Sequence, residues 1–153
     1  MHKRKPKTFL LVEDDPNDAL LVELEFKKEA PEIQLHWVND GHEAMDYLEG
    51  RPPFTDRRTH PLPDVIILDL KMPRIDGFDF LEWLHTSSPA NFKLIPVIVM
   101  SSSNVQEDIK RAYELGANSY VVKPVNFGEF RERIRLLGLL WGSHAETPIL
   151  RSP

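Results

Sequence analysis

The chain has no cysteine, which excludes a disulfide framework, a thiolate-held metal and a thiol nucleophile. No apolar run approaches the roughly 20 residues that cross a bilayer, and nothing at the start resembles a signal peptide. We therefore expect a cytoplasmic protein that does not enter a membrane. There is no basic excess either: the net charge is -5, which disfavours a nucleic-acid surface. The one basic cluster, "MHKRKPK", reads as a tail over residues 1–7, either solvated or in contact with an acidic partner. Internal repeats and low-complexity segments are also missing. The 153 residues leave room for a single domain with a sizeable core. We place it at residues 8–141, with a second tail at 142–153.

Among what is present, "VIILDLKMP", Val65 to Pro73, stands out because it sets one carboxylate, Asp69, in a run of large apolar residues. Such a run without polar alternation suggests a strand buried on both faces. An unpaired charge inside it would be costly. Asp69 therefore belongs at the open end of the strand, facing solvent or a cation.

The rest of the chain supports a strand there. "TFLLVE", Thr8 to Glu13, reads as a first buried strand. In the helix after it, Asp15 is the N-cap, Pro16 the first residue and Asp18 the acid three positions past the cap, while Leu20, Leu21 and Leu24 line the inner face. Ile33 to Val38 is a second strand, followed by a helix from about Gly41 to Leu48 with Ala44, Met45 and Leu48 inward. A third helix runs from about Phe78 to His85, with Phe78, Leu81 and Leu84 inward. Ile95 to Ser101 is the fourth strand, and its helix carries Val105, Ile109 and Ala112 on one face. "NSYVVKP" supplies the fifth strand, and a last helix starts behind Asn126 and runs to about Trp141. Five strands alternating with five helices imply an α/β fold, a doubly wound parallel sheet covered on both faces.

In such sheets the working site lies beyond the carboxyl ends of the strands. That brings Asp69 together with Glu13 and Asp14, at the end of the first strand. Like charges this close raise one another's pKa unless a divalent cation with oxygen ligands sits between them. Mg²⁺ suits the set, since it takes one or two carboxylates and usually shares its shell with a phosphate. Asp15 is explained by capping alone. Ser101 and Lys123, at the ends of the fourth and fifth strands, add a hydroxyl and an ammonium for phosphoryl oxygens. Singly, the serine reads as a cap and the lysine as a solvated charge; together they point to phosphoryl chemistry. The second strand ends in "ND" and adds nothing clear.

"LLVEDDPND", "ILDLKMPRIDG", "VIVMSSS" and "SYVVKPV", in that order, resemble the receiver domain of two-component response regulators over about Thr8 to Trp141. The resemblance implies a flavodoxin-like fold and phosphorylation of Asp69 by a histidine kinase. It implies that Glu13, Asp14, Asp69 and the backbone carbonyl of Lys71 hold Mg²⁺, with Glu13 acting through water. Ser101 and Tyr120 become switch residues, Lys123 the phosphate-binding amine, and the peptide before Pro124 is expected to be cis. The side chains of Lys71 and Ser103 fall where the family tunes phosphoryl lifetime. "DPNDA", "MPRIDGFDFL", "RAYELGANSYVVKPVNF" and the final "LW" resemble regulators encoded beside phytochrome-type kinases, and no effector domain is expected after the last helix.

Two rivals differ in class. One is an aspartyl-phosphate phosphatase of the haloacid dehalogenase kind, which wants a second aspartate where Lys71 stands; the other is a binding module of the same fold that no longer accepts phosphate, which the intact site opposes. The proline-rich insert at residues 50–63 is expected to be an ordered loop, not a helix, either a tolerated insertion or a docking element. In the last helix, Phe127, Phe130, Ile134, Leu137 and Trp141 form one apolar stripe. Leu136 and Leu140 are left over, either touching a neighbouring helix or forming a homodimer surface that the apolar tail residues Ile149 and Leu150 would reach.

Overall fold

The computed structural model describes residues 6–72, 74–89 and 91–150. Most of the basic opening cluster and residues 151–153 of the second tail lie outside the described residues. Strands β1 (Thr8–Val12), β2 (Gln34–Val38), β3 (Val65–Leu68), β4 (Val97–Ser101) and β5 (Ser119–Val122) make one parallel sheet in the order β2-β1-β3-β4-β5. The order reverses between β1 and β3, so the crevice expected of a doubly wound sheet opens where Glu13 and Asp69 follow their strands. Helices α1 (Pro16–Glu29), α2 (Gly41–Glu49), α3 (Gly77–Thr86), α4 (Gln106–Glu114) and α5 (Phe127–Leu139) cover both faces.

The period-two alternation of the strands divides the core. Leu10, Ile66, Leu68, Val97 and Val99 pack with Ala44, Leu48, Phe80, Leu84 and Ala112 on one face. Phe9, Leu11, Ile67 and Ile98 pack with Val22, Phe26, Phe130 and Ile134 on the other. All of β1 and β3 is buried, which explains their unbroken apolar sequences.

Helix starts follow the local signals. Asp15 accepts from Asn17 N at 2.8 Å, and Asp40 from Glu43 N, Asp76 from Asp79 N and Asn126 from Glu129 N at 2.9 Å each. Each such cap is worth about 1 kcal/mol.

The buried helix faces depart from expectation in four places. In α1 the inward residues are Ala19, Val22 and Phe26, while Leu20 and Leu24 are about half exposed. Ionic partners fix this rotation: Asp18 reaches Lys123, and the buried Glu25 takes Arg131 from α5 at 3.1 Å. In α3, Phe80 is fully buried, and Phe78 is only half-buried, with the Arg111 guanidinium 4.2 Å over its ring. In α5, Phe127 lies outside at the first helical position, next to Arg131, while Phe130, Ile134 and Leu137 are buried. Val105 likewise precedes α4 and is exposed, leaving Ala112 as that helix's buried residue. The helical path also continues past Trp141 as a π-helical turn, Leu140–His144, where Lys7 donates to the Trp141 carbonyl at 2.8 Å.

The insert contains no helix. Gly50 ends α2 in the left-handed region (φ 70°), and Arg57 from the insert then donates to the last-turn carbonyls of Tyr47 (2.8 Å) and Leu48 (2.5 Å). Phe54 and His60 close around the buried Tyr47, and His60 lies 5.9 Å from the His36 ring of β2.

Burial, and then the neighbouring His60, lower the pKa of His36 below its ordinary 6.5. The folded state therefore favours neutral His36. Stability is full above that ordinary value and is lost as the pH falls through the lowered one. Urea unfolding should give a lower midpoint at about pH 5 than at pH 7, and His36→Phe should flatten that slope. Equal slopes in the two proteins would refute this assignment.

Candidate functional site

The parallel sheet delivers its strand ends to one rim, and Glu13, Asp14 and Asp69 meet there. Carboxylate oxygens from the three lie within 4.8 Å of one another. Glu13 and Asp69 are buried, while Asp14 is exposed. The Glu13 amide donates to Val38 at 3.1 Å and the Asp69 amide to Val12 at 3.0 Å, so both backbones are fixed by the sheet. Behind Asp69, Gly77 is required by close approach: a Cβ there would stand 2.5 Å from the Asp69 carbonyl.

Lys123, immediately after β5, reaches into this cluster. Its ammonium donates to Glu13 and, at 2.9 Å, to Asp18, and stands 3.6 Å from Asp69 Oδ2. Burial opposes its charge, but Asp69 and Glu13 outweigh that and raise its pKa. One ammonium does not balance the acids around it. Burial, and then Asp69, push Glu13 up to about 9 against the pull of Lys123. Asp14 is raised by partial burial and by Asp69.

Glu13 Oε2 is buried and has no hydrogen-bond partner, the one side-chain atom of this kind among the described residues. Crowded oxygen donors with an unmatched lone pair are what a hard divalent cation takes. The residues fit such an ion.

Ser101 is fully buried at the end of β4, and its Oγ accepts from Ser103 N at 3.2 Å. Its carbonyl accepts from Lys123 N at 2.7 Å, tying β4 to the lysine. Tyr120 is half-buried and donates its hydroxyl to the Ser103 carbonyl at 2.8 Å. The Lys71 amide points at Asp69 Oδ1, at 3.4 Å. The cis bond expected before Pro124 is not found: Pro52–Pro53 is the only cis peptide among the described residues. An X–Pro bond prefers trans by about 0.5–1 kcal/mol, and with it Lys123 already reaches its acidic partners. Leu136 on α5 and Leu140, the first residue of the turn after it, are exposed and line a groove with Tyr120, Val122, Arg133 and Trp141.

Three neighbours of the site were missed in the sequence. Asp18 reads in the sequence only as an acid at the helix start, although its spacing to Val22 and Glu25 marks the inward face of α1. Trp37 donates its indole N–H to the Glu13 carbonyl at 2.7 Å, a contact that no local pattern announces. Asp40 both caps α2 and receives the Arg74 guanidinium, which ties down the loop after Asp69. Despite partial burial, the Glu43 amide and Arg74 keep Asp40 below the usual carboxylate range.

The response regulator receiver domain family matches residues 9–135. The chain is 31% identical over 136 residues to the response regulator Rcp1 of Synechocystis, spanning 89% of each protein. It is also 31% identical over 136 residues to a probable methanogenesis regulatory protein, FilR2, of Methanothrix harundinacea, spanning 89% of this chain and 84% of that one. The phosphorylated cyanobacterial phytochrome response regulator RcpA superposes with a TM-score of 0.86 at 30% identity, over 94% of this chain and 99% of that one. The Mn²⁺-bound form of Rcp1 superposes with a TM-score of 0.85 at 30% identity, over 94% of this chain and all of that one (100%).

The neighbouring aspartates 14 and 15 should separate cleanly. Asp14→Ala should weaken Mn²⁺ binding at least about tenfold, ~1.4 kcal/mol, with little effect on stability. Asp15→Ala should leave binding intact and lower stability by about 1 kcal/mol through loss of the cap. Isothermal titration and urea unfolding of both variants test this; equal losses of Mn²⁺ affinity would contradict the assignment.

Proposed function

The chain belongs to the response regulator receiver family, and from that premise we propose that it accepts a phosphoryl group onto Asp69 from a histidine kinase, of phytochrome type, and signals to a partner by changing conformation. What supports this most is the meeting of Asp69 with Glu13, Asp14, Lys123 and Ser101 at one rim of the sheet. The similarity to phytochrome response regulators supports the kinase class. The proposed setting is the cytoplasm, where such a kinase presents its phosphohistidine.

An Asp69 oxygen attacks phosphorus in line, and the phosphorus–nitrogen bond of the donor breaks, leaving its electron pair on the imidazole. Lys123 meets a phosphoryl oxygen as a point charge, and Ser101 donates its hydroxyl to another. Positioning supplies most of the rate. Asp14, Asp69 and the Lys71 carbonyl, with Glu13 acting through water, would hold Mg²⁺, which when bound neutralises charge on the transferring oxygens. Hydrolysis uses the same site with water as nucleophile, and the Lys71 and Ser103 side chains tune its rate. Phosphorylation shifts a pre-existing equilibrium: Ser101 moves toward the phosphoryl oxygens and Tyr120 follows.

We also propose that this protein forms a homodimer, with or without phosphate. Exposed Leu136 on α5 and Leu140, four residues on where the helical path continues, form an apolar strip on the groove they line. Leu150 packs partly against the protein's own core, so of the two tail residues only the exposed Ile149 is free to add to that face.

Asp69→Asn should abolish acid-labile phosphorylation by acetyl phosphate or a cognate kinase while leaving the circular-dichroism spectrum unchanged. Ordinary phosphate incorporation by that variant would refute the assignment. In sedimentation at tens of micromolar the wild type should be a dimer, and Leu136→Glu with Leu140→Glu should be a monomer that still takes phosphate. A monomeric wild type, with and without beryllofluoride, would remove the dimer proposal.

A further inference from the structure

Helix α4 does not begin as the other helices do. α1, α2, α3 and α5 each start behind an Asp or Asn side chain that accepts from the first turn, but the residue in that place before α4 is Val105, which offers no acceptor. α4 is also shallowly seated, with Ala112 its only buried residue. Ser103 holds its amino end instead. The Ser103 hydroxyl donates to Asp108 Oδ2, in the first turn of α4, at 2.6 Å and accepts from Val105 N at 3.3 Å.

The backbone of Ser103 faces the phosphoacceptor site. Its N–H donates to Ser101 Oγ at 3.2 Å, and its carbonyl accepts from the Tyr120 hydroxyl at 2.8 Å. Ser103 is itself buried and Ser101 fully so, which leaves little free space for either to move alone. A single residue thus joins the site hydroxyl, the β5 tyrosine and the start of α4.

We propose that Asp108 is the residue through which the state of Ser101 sets the order of α4, a regulation that rests on Asp69 being the phosphoacceptor. While Asp108 holds the Ser103 hydroxyl, the amino end of α4 is fixed. When Ser101 moves to donate to a phosphoryl oxygen on Asp69, Ser103 follows through its N–H, and its hydroxyl withdraws from Asp108. A short hydroxyl–carboxylate bond is charge-assisted and weakens steeply with distance. Val105 has no side-chain acceptor to replace it, so the Asp108 carboxylate and the Val105 N–H turn to water and that end of α4 frays. Tyr120, bonded to the same Ser103 carbonyl, moves in step with the change.

Hydrogen exchange across residues 104–112 of the full chain, with Mg²⁺ and with or without beryllofluoride, tests the coupling, while ¹⁹F NMR reads beryllofluoride binding separately. In the wild type, exchange should rise several-fold on beryllofluoride binding. Asp108→Ala should raise exchange to that level before the ligand is added, leave it unresponsive afterwards, and bind beryllofluoride as the wild type does. Glu107→Ala, which removes a charge from the same turn without touching Ser103, should behave as the wild type; a response like that of Asp108→Ala would mean helix electrostatics and would overturn the tether. Binding by the wild type with an unresponsive α4 overturns this inference alone, even if Asp108→Ala does not fold. A wild type that does not bind beryllofluoride overturns the phosphoacceptor reading and the inference with it.

Discussion

Glu13, Asp14 and Asp69 are held closer together than like charges tolerate, and Lys123 alone cannot balance them. In water the three would separate. Here the sheet forbids it, because Glu13 follows β1 and Asp69 follows β3 in parallel register, with Val12 beside Leu68. The repulsion appears as the high pKa of Glu13, caused first by burial and then by Asp69, and as the partnerless Glu13 Oε2. A divalent cation held between the carboxylates would offset their mutual repulsion. The architecture thus keeps a site whose empty form is electrostatically unfavourable.

Everything near the rim is arranged to keep those groups from relaxing apart. Trp37 fixes the Glu13 carbonyl, Gly77 lets α3 start directly behind Asp69, and Arg74 ties the following loop to Asp40. Asp18 shares the Lys123 ammonium and so fixes the rotation of α1. Opposite these stands the Ser101–Ser103 segment, joined to α4 by the Ser103–Asp108 hydrogen bond, and α4 has a single buried residue, Ala112. A rigid charged corner beside a lightly held helix is a physical basis for turning a local change of charge into a change of surface.

The sequence revealed whatever depends on neighbours in the chain. Strand ends, the caps at Asp15 and Asn126 and the acids at the rim were legible, because a buried parallel strand reads as an apolar run and a cap reads as one side chain next to one turn. Helix rotation was less legible. In α1 the leucines suggested one face, but Asp18 and Glu25 select another through Lys123 and Arg131, more than a hundred residues away. Phe78 and Phe127 failed for a related reason: an aromatic beside an arginine sits comfortably at the surface, so size alone did not mark the core. The bond before Pro124 depends on the loop around Lys123, which no local pattern encodes.

The central claim is that the three acids are held together at a cost in stability which a divalent cation offsets. Thermal unfolding of the wild type and of Asp69→Asn, each in chelator and in excess Mg²⁺, tests it most directly. In chelator the variant should melt above the wild type, because one like charge is gone. Mg²⁺ at about 100 times its dissociation constant should stabilise the wild type by ~2.7 kcal/mol and the variant much less. A variant that melts below the wild type in chelator, together with a wild type indifferent to Mg²⁺, would contradict it.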